Sequence, residues 1–297
     1  YIDMNRDEMM GIVILLGIIC IGILGGAKGV TRTGFLAPTN QTQEQKQADI
    51  QAKIDQTQKE VDALQAKINE EEEKKNSSIY KGIVDLNYVY SSSDAKQEYL
   101  SLRVNTTKTP INVTGWTLKS RSSGVSVKIP KGTYLFFTGI TNTEDDIYLN
   151  SNDYLYLVTG ISPNGASFKT NKCSGYLTQF QTFTPYLYTS CPAPKNENTS
   201  SIPRTVNNDA CLDYIDYFPT CRIQTESLPA NWSYECTSFI YNKINYPSCI
   251  TTHKGDKDFY LGEWRVYLKR SEGIWKERRE DIILLDNEGK IVDTYQY

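Results

Sequence analysis

The chain has 297 residues, 32 basic and 35 acidic side chains, a formal charge of -3 and a hydrophobic content of 39%. At about 100–200 residues per domain, that length holds one large domain or two modest ones. The near-neutral balance offers no basic footprint for nucleic acid. A single histidine argues against multi-histidine metal centres and nucleophile–histidine pairs, so neither enzymatic activity nor a cofactor is expected.

From Met9 to Ala27 the chain runs for 19 residues without a charge. A signal peptide's apolar core is only about 7–15 residues long, whereas about 20 residues cross a bilayer. A transmembrane anchor within residues 1–30 is therefore expected, with residues 9–27 in contact with lipid. The Gly22/Gly26 and Gly25/Gly29 pairs permit close helix approach there. Residues 41–76 then switch to Gln, Lys, Glu and Ala, without Gly, Pro or aromatics. Ile54, Val61 and Ile68 fall at heptad a, and Ile50 and Leu64 at d. β-Branched a with Leu at d predicts a helical coiled-coil stalk that leans towards a parallel dimer. The alternative is a solvated single helix held by pairs such as Glu70–Lys74.

After Ile79 the period shortens to two, predicting strands at 83–90, 99–104, 113–118, 125–129, 264–270, 281–286 and 290–297. Asn287-Glu288-Gly289 reads as the turn of a closing hairpin. Many short strands with regular turns predict a mainly β fold, a β-sandwich over residues 80–297.

Within this region Val113-Thr114-Gly115-Trp116-Thr117-Leu118, Ile129-Pro130-Lys131-Gly132-Thr133-Tyr134-Leu135 and the closing DIILLDNEGKIVDTYQY, with Asp293 and Tyr295, resemble the lamin-tail domain. The resemblance covers about 100 residues, roughly 80–138 and 260–297. It implies an immunoglobulin-like sandwich, a secreted or surface location and no common catalytic site. The chain departs from the family by an insert of some 120 residues, at about 139–259. The order of anchor, stalk, split domain and insert also resembles envelope proteins of reduced-genome, episymbiotic bacteria.

Cys20 lies in the apolar run, while Cys173, Cys191, Cys211, Cys221, Cys236 and Cys249 all fall in the insert. No CxxC occurs and only His253 could add a nitrogen, so disulfides outweigh a zinc site, with fifteen possible connectivities. Disulfides imply an oxidising compartment. Lys28 and Arg32 taken alone would put the long portion inside, but long domains cross largely regardless of charge. The stalk and C-terminal domain are thus expected outside the cell membrane, on a single-pass anchor. Asn40, Asn76, Asn105, Asn112, Asn198 and Asn231 head Asn-x-Ser/Thr sequons and are candidate glycosylation sites.

No G-x-S-x-G, H-E-x-x-H or P-loop pattern occurs. His253 with Asp256 could form a base and its carboxylate, but a nucleophile is not evident. Glu144-Asp145-Asp146 and Asn150–Asp153 are candidate oxygen ligands for a structural calcium, against the simpler reading as solvated turns. The tyrosines of TPYLYTS (184–190), DYIDYF (213–218) and FIYNKINY (239–246) fit either a recognition surface or the filling of a small core. The expected function is a non-enzymatic, membrane-anchored structural protein that self-associates into an S-layer-like envelope array. The alternatives are an adhesin or receptor binding a host glycan or protein through the insert, and a pilin-like filament subunit.

Overall fold

The computed structural model describes residues 43–297 apart from Thr138. The expected anchor at 9–27, Cys20 and Asn40 lie outside the described residues. Among the described residues no helix is long and apolar enough to cross a membrane. The chain divides into two units, one ending at Lys67 and the other running from Ile68 to Tyr297.

Helix α1 spans Gln43–Asn76. Its Gln, Lys, Glu and Ala residues lose little side-chain freedom in a helix. Spacing by four lets Gln51 donate to Asp55 and Gln58 to Asp62, each at 2.8 Å, and pairs Lys74 with Glu70 at 2.6 Å. Lys74 and Lys75 occupy the last turn, where the helix dipole favours cations. The five heptad positions are exposed: Ile50 58%, Ile54 54%, Val61 43%, Leu64 59% and Ile68 49%.

The second unit is mainly β. Its strands are β1 (Val84–Tyr90), β2 (Tyr99–Val104), β3 (Ile111–Asn112), β4 (Thr117–Ser120), β5 (Ser126–Lys128), β6 (Tyr148–Leu149), β7 (Tyr154–Val158), β8 (Phe168–Asn171), β9 (Tyr260–Tyr267), β10 (Asp281–Leu285) and β11 (Ile291–Gln296). One sheet has the order β1-β2-β7-β9-β8, the other β11-β10-β4-β5, and β3 and β6 form a short ribbon. Every pair is antiparallel except β7 with β9. The sheets face one another as in a β-sandwich. Leu100, Leu102, Leu155, Leu157, Trp264 and Val266 from one meet Leu118, Ile282, Leu284 and Val292 from the other, with Trp116 among them.

Most expected strands are present, with shifted ends. The segment 113–118 supplies a strand only from Thr117, because Val113–Trp116 form a turn closed by Trp116 N–H donating to the Val113 carbonyl at 3.2 Å. The closing hairpin turns where expected: Gly289 has φ +77°, and the Asp286 carboxylate accepts from the Glu288 and Lys290 amides at 2.9 Å. The insert differs. Residues 148–158, placed in it by the sequence reading, contribute β6 and β7, and β7 lies in the middle of its sheet between β2 and β9. Leu155 and Leu157 are needed to fill the sandwich, so the excursion from the sheets runs from Lys172 to Phe259. It contains α2 (Val206–Tyr217), α3 (Tyr234–Lys243) and α4 (Tyr246–His253). The run 239–246 is thus largely helical, and its Asn245 caps the start of α4, its side chain accepting from the Ser248 amide at 2.9 Å.

Alternation along β9 explains how the insert is seated. Trp264 and Val266 point into the sandwich, while Arg265 and Tyr267 point outward. A second core forms on that outer side from Phe168, Tyr267, Phe136, Ile215, Phe239, Ile240, Tyr246 and Ile250 together with all six insert cysteines.

Candidate functional site

The cysteines pair as Cys173–Cys249, Cys191–Cys221 and Cys211–Cys236, with Cα separations of 5.9, 5.2 and 6.5 Å. They tie the turn after β8 to α4, and α2 to α3. The packing is close enough that a Cβ on Gly175 would strike Cys221 Sγ and come within 2.9 Å of Cys191 Sγ.

Arg265 fastens a loop of the insert to the sheet. It is 2% exposed, its Nε donates to Glu263 at 2.6 Å, and its terminal nitrogens donate to the carbonyls of Pro185 and Tyr186. The guanidinium also lies 4.5 Å from the centre of the Tyr156 ring. That ring belongs to a tyrosine face on the outer side of the sheet. Tyr99 lies 5.9 Å from Tyr88, 5.7 Å from Tyr90 and 6.2 Å from Tyr156, and Arg103 sits over Tyr154. Tyr186 and Tyr188 of the fastened loop are 70% and 68% exposed. The insert's tyrosines therefore divide. Tyr176 and Tyr246 fill its core, whereas Tyr186, Tyr188, Tyr217 and Tyr234 face solvent. Burial raises the Tyr176 hydroxyl to about 12, so it stays neutral at physiological pH.

His253 does find Asp256, through Nδ1 at 2.9 Å, but its Nε2 lies 2.8 Å from Glu197 rather than beside a hydroxyl or thiol. With both nitrogens on carboxylates, the ring has none free to take a proton from a nucleophile. Among the described residues no cluster of three or more His, Cys, Asp or Glu side chains is arranged to hold a metal ion. Two of the candidate calcium ligands have other partners: Asp146 meets Lys131 and Asn112, and Asp153 accepts from Asn150 and lies 3.8 Å from Lys169.

Two features had no signal in the sequence. Lys169 is 7% exposed, surrounded by Tyr134, Tyr260 and Trp264, and desolvation lowers its pKa against the opposing pull of Asp153. Glu98 and Glu280 are buried carboxylates that fasten the segment between β9 and β10.

The described sequons are not equivalent. Asn76, Asn198 and Asn231 are exposed. The Asn105 amide nitrogen instead donates to Asp85 at 2.7 Å, and that of Asn112 to Asp146 at 3.1 Å. In a host that glycosylates asparagine, peptide mass spectrometry should find occupancy at Asn76, Asn198 and Asn231 several-fold above that at Asn105 and Asn112. Equal occupancy at all five would show that modification precedes these contacts.

Comparison with protein-family models finds no match to this chain, and comparison with curated proteins finds none either.

Proposed function

We propose that this chain is a non-enzymatic structural protein of a cell surface, held by the apolar segment 9–27 and raised on α1, whose copies associate laterally into an envelope array. The observation that carries the reading is the exposed apolar seam of α1, with all five positions more than 40% open to solvent. A helix of this composition gains little from isolation, and a second helix would bury that seam. At about 1.5 Å per residue, α1 is about 50 Å long, enough to act as a spacer. Three disulfides fit an extracytoplasmic setting, and the motifs around Trp116 and the final hairpin favour a lamin-tail type of sandwich.

The test is the mass of the full chain in detergent micelles by analytical ultracentrifugation, beside an Ile54→Lys/Val61→Lys variant. The native chain should be dimeric or larger and the variant monomeric, because two charges in the seam leave the helix surface fully wet. A native monomer, or envelopes without a regular coat by electron microscopy, would overturn the proposal.

A second reading, surface recognition, is favoured by the tyrosine face and the exposed Tyr186 and Tyr188 beside it. Tyrosines supply contact area at low entropic cost. Replacing both Tyr186 and Tyr188 by Ser should abolish attachment to a host surface while leaving the assembly intact. Unchanged attachment would eliminate this loop as the recognition element.

A further inference from the structure

The chain's single histidine joins two parts of the insert that the disulfides leave unlinked. His253 closes α4, and Glu197 follows the short turn Pro194–Asn196, 56 residues earlier in the chain. A cavity of about 560 Å³ opens beside this junction, lined by Glu197, Ser200, Phe239, Lys243 and Thr252 as well as His253. On the far side, Asp256 is shared with Lys172 at 2.9 Å, and Lys172 also reaches Asp258 at 2.7 Å.

A neutral imidazole has one N–H, whereas an imidazolium has two. Distances of 2.8 and 2.9 Å to two carboxylates require both. Loss of the proton leaves a bare ring nitrogen against a carboxylate oxygen, and removes the one positive charge paired with Glu197 among the described residues. We infer that His253 is a pH-sensitive latch, which holds segment 194–201 against α4 in acid and releases it as the pH rises.

The charges around the ring support that direction. Glu197 and Asp256 face it directly, Lys172 and Asp258 stand behind Asp256, and Lys243 lines the adjoining cavity. Burial of the ring lowers its pKa, but the hydrogen bonds it donates to Glu197 and Asp256 outweigh that and hold it above the ordinary 6.5. A group whose folded pKa is raised stabilises fully below its unfolded pKa, and that contribution is lost as the pH rises through the folded value. The latch is therefore closed while the ring is protonated and both carboxylates are ionised, and it opens as the pH rises through a midpoint above 6.5.

The untagged full chain in micelles makes the test direct, because its one histidine gives one imidazole Hε1 resonance by NMR. That resonance should titrate above 6.5. Over the same interval, hydrogen-exchange protection of residues 194–201, corrected for intrinsic rates, should fall about tenfold, the scale of one lost charge-assisted hydrogen bond. In His253→Gln the protection step should vanish, and in Glu197→Gln the midpoint should move down. A midpoint at or below 6.5, or a step that persists in His253→Gln, would overturn the latch.

Discussion

Reduction of the three disulfides should unfold the insert and spare the sandwich. The six cysteines belong to the core built on the outer side of the sheet, and none belongs to the core between the sheets. The helices they join have 12, 10 and 8 residues, at or below the roughly 12–15 under which isolated helices are marginal in water. The bridges span separations of 76, 30 and 25 residues. Closing loops of that size is worth about 3–5 kcal/mol for each bridge taken singly. The Cys191–Cys221 loop lies inside the Cys173–Cys249 loop, so the three contributions do not add in full. The loss still rivals the whole stability of a small domain. Hydrogen exchange read by mass spectrometry, with and without a phosphine reductant, should show loss of protection across 206–253, and retention in β2, β7 and β10. Phe168 and Tyr267 face the insert, so β8 and the end of β9 should loosen as well. Simultaneous loss of protection in every strand would show instead that insert and sandwich unfold as one cooperative unit.

That division was only partly legible in the sequence. Alternation of apolar residues marked β1 and β11, because each has one face in the core and one open to solvent. By contrast, β2 and β10 are buried on both faces over three consecutive residues, and β10 reads as a short apolar run. The same alternation is present in Tyr154-Leu155-Tyr156-Leu157, but that segment lies between the two stretches, 80–138 and 260–297, that carry the family resemblance. Its place between β2 and β9 comes from a parallel pairing with a strand more than 100 residues away, which no local period announces. The cysteine spacing excluded the usual zinc patterns but could not choose among pairings, since pairing depends on how α2, α3 and α4 fold together. Asp256 stands three residues from His253 and was visible as its partner; Glu197, 56 residues away, was not. Buried charge is the least legible feature of all. Glu98 sits in a polar run, Asp94-Ala95-Lys96-Gln97-Glu98, that reads as a solvated turn.

Replacing Glu98 by Ala should cost about 3 kcal/mol or more of sandwich stability. The side chain is fully buried, and its carboxylate accepts from the Thr159 hydroxyl and the Ile274 amide, each at 2.7 Å, and from the Trp275 amide at 3.2 Å. These contacts fix the segment between β9 and β10, whose Ile274 and Trp275 enter the core between the sheets. The chain passes so close that a Cβ on Gly273 would strike the Ser92 carbonyl and lie 2.9 Å from Glu98 Oε2. Alanine would leave two backbone donors and a hydroxyl facing a cavity, and each buried unpaired group costs about 1–3 kcal/mol. Glutamine discriminates between packing and charge. It fills the same volume and keeps an acceptor for Thr159 and Ile274, but presents either an amide N–H₂ or no free lone pair to the Trp275 amide. Thermal unfolding should therefore rank native, Glu98→Gln and Glu98→Ala in falling order, the last by about 6–12 °C at roughly 2–4 °C per kcal/mol for a domain of this size. Glu280 does the same work at the other end of that segment, accepting from Ser120, Lys276 and Asp281 at 2.8–2.9 Å. The two carboxylates hold one segment and both act on the Tyr297 hydroxyl, so their effects should not add in full in a double variant. A Glu98→Ala change of less than 2 °C would mean that Ile274 and Trp275 hold the segment by packing alone.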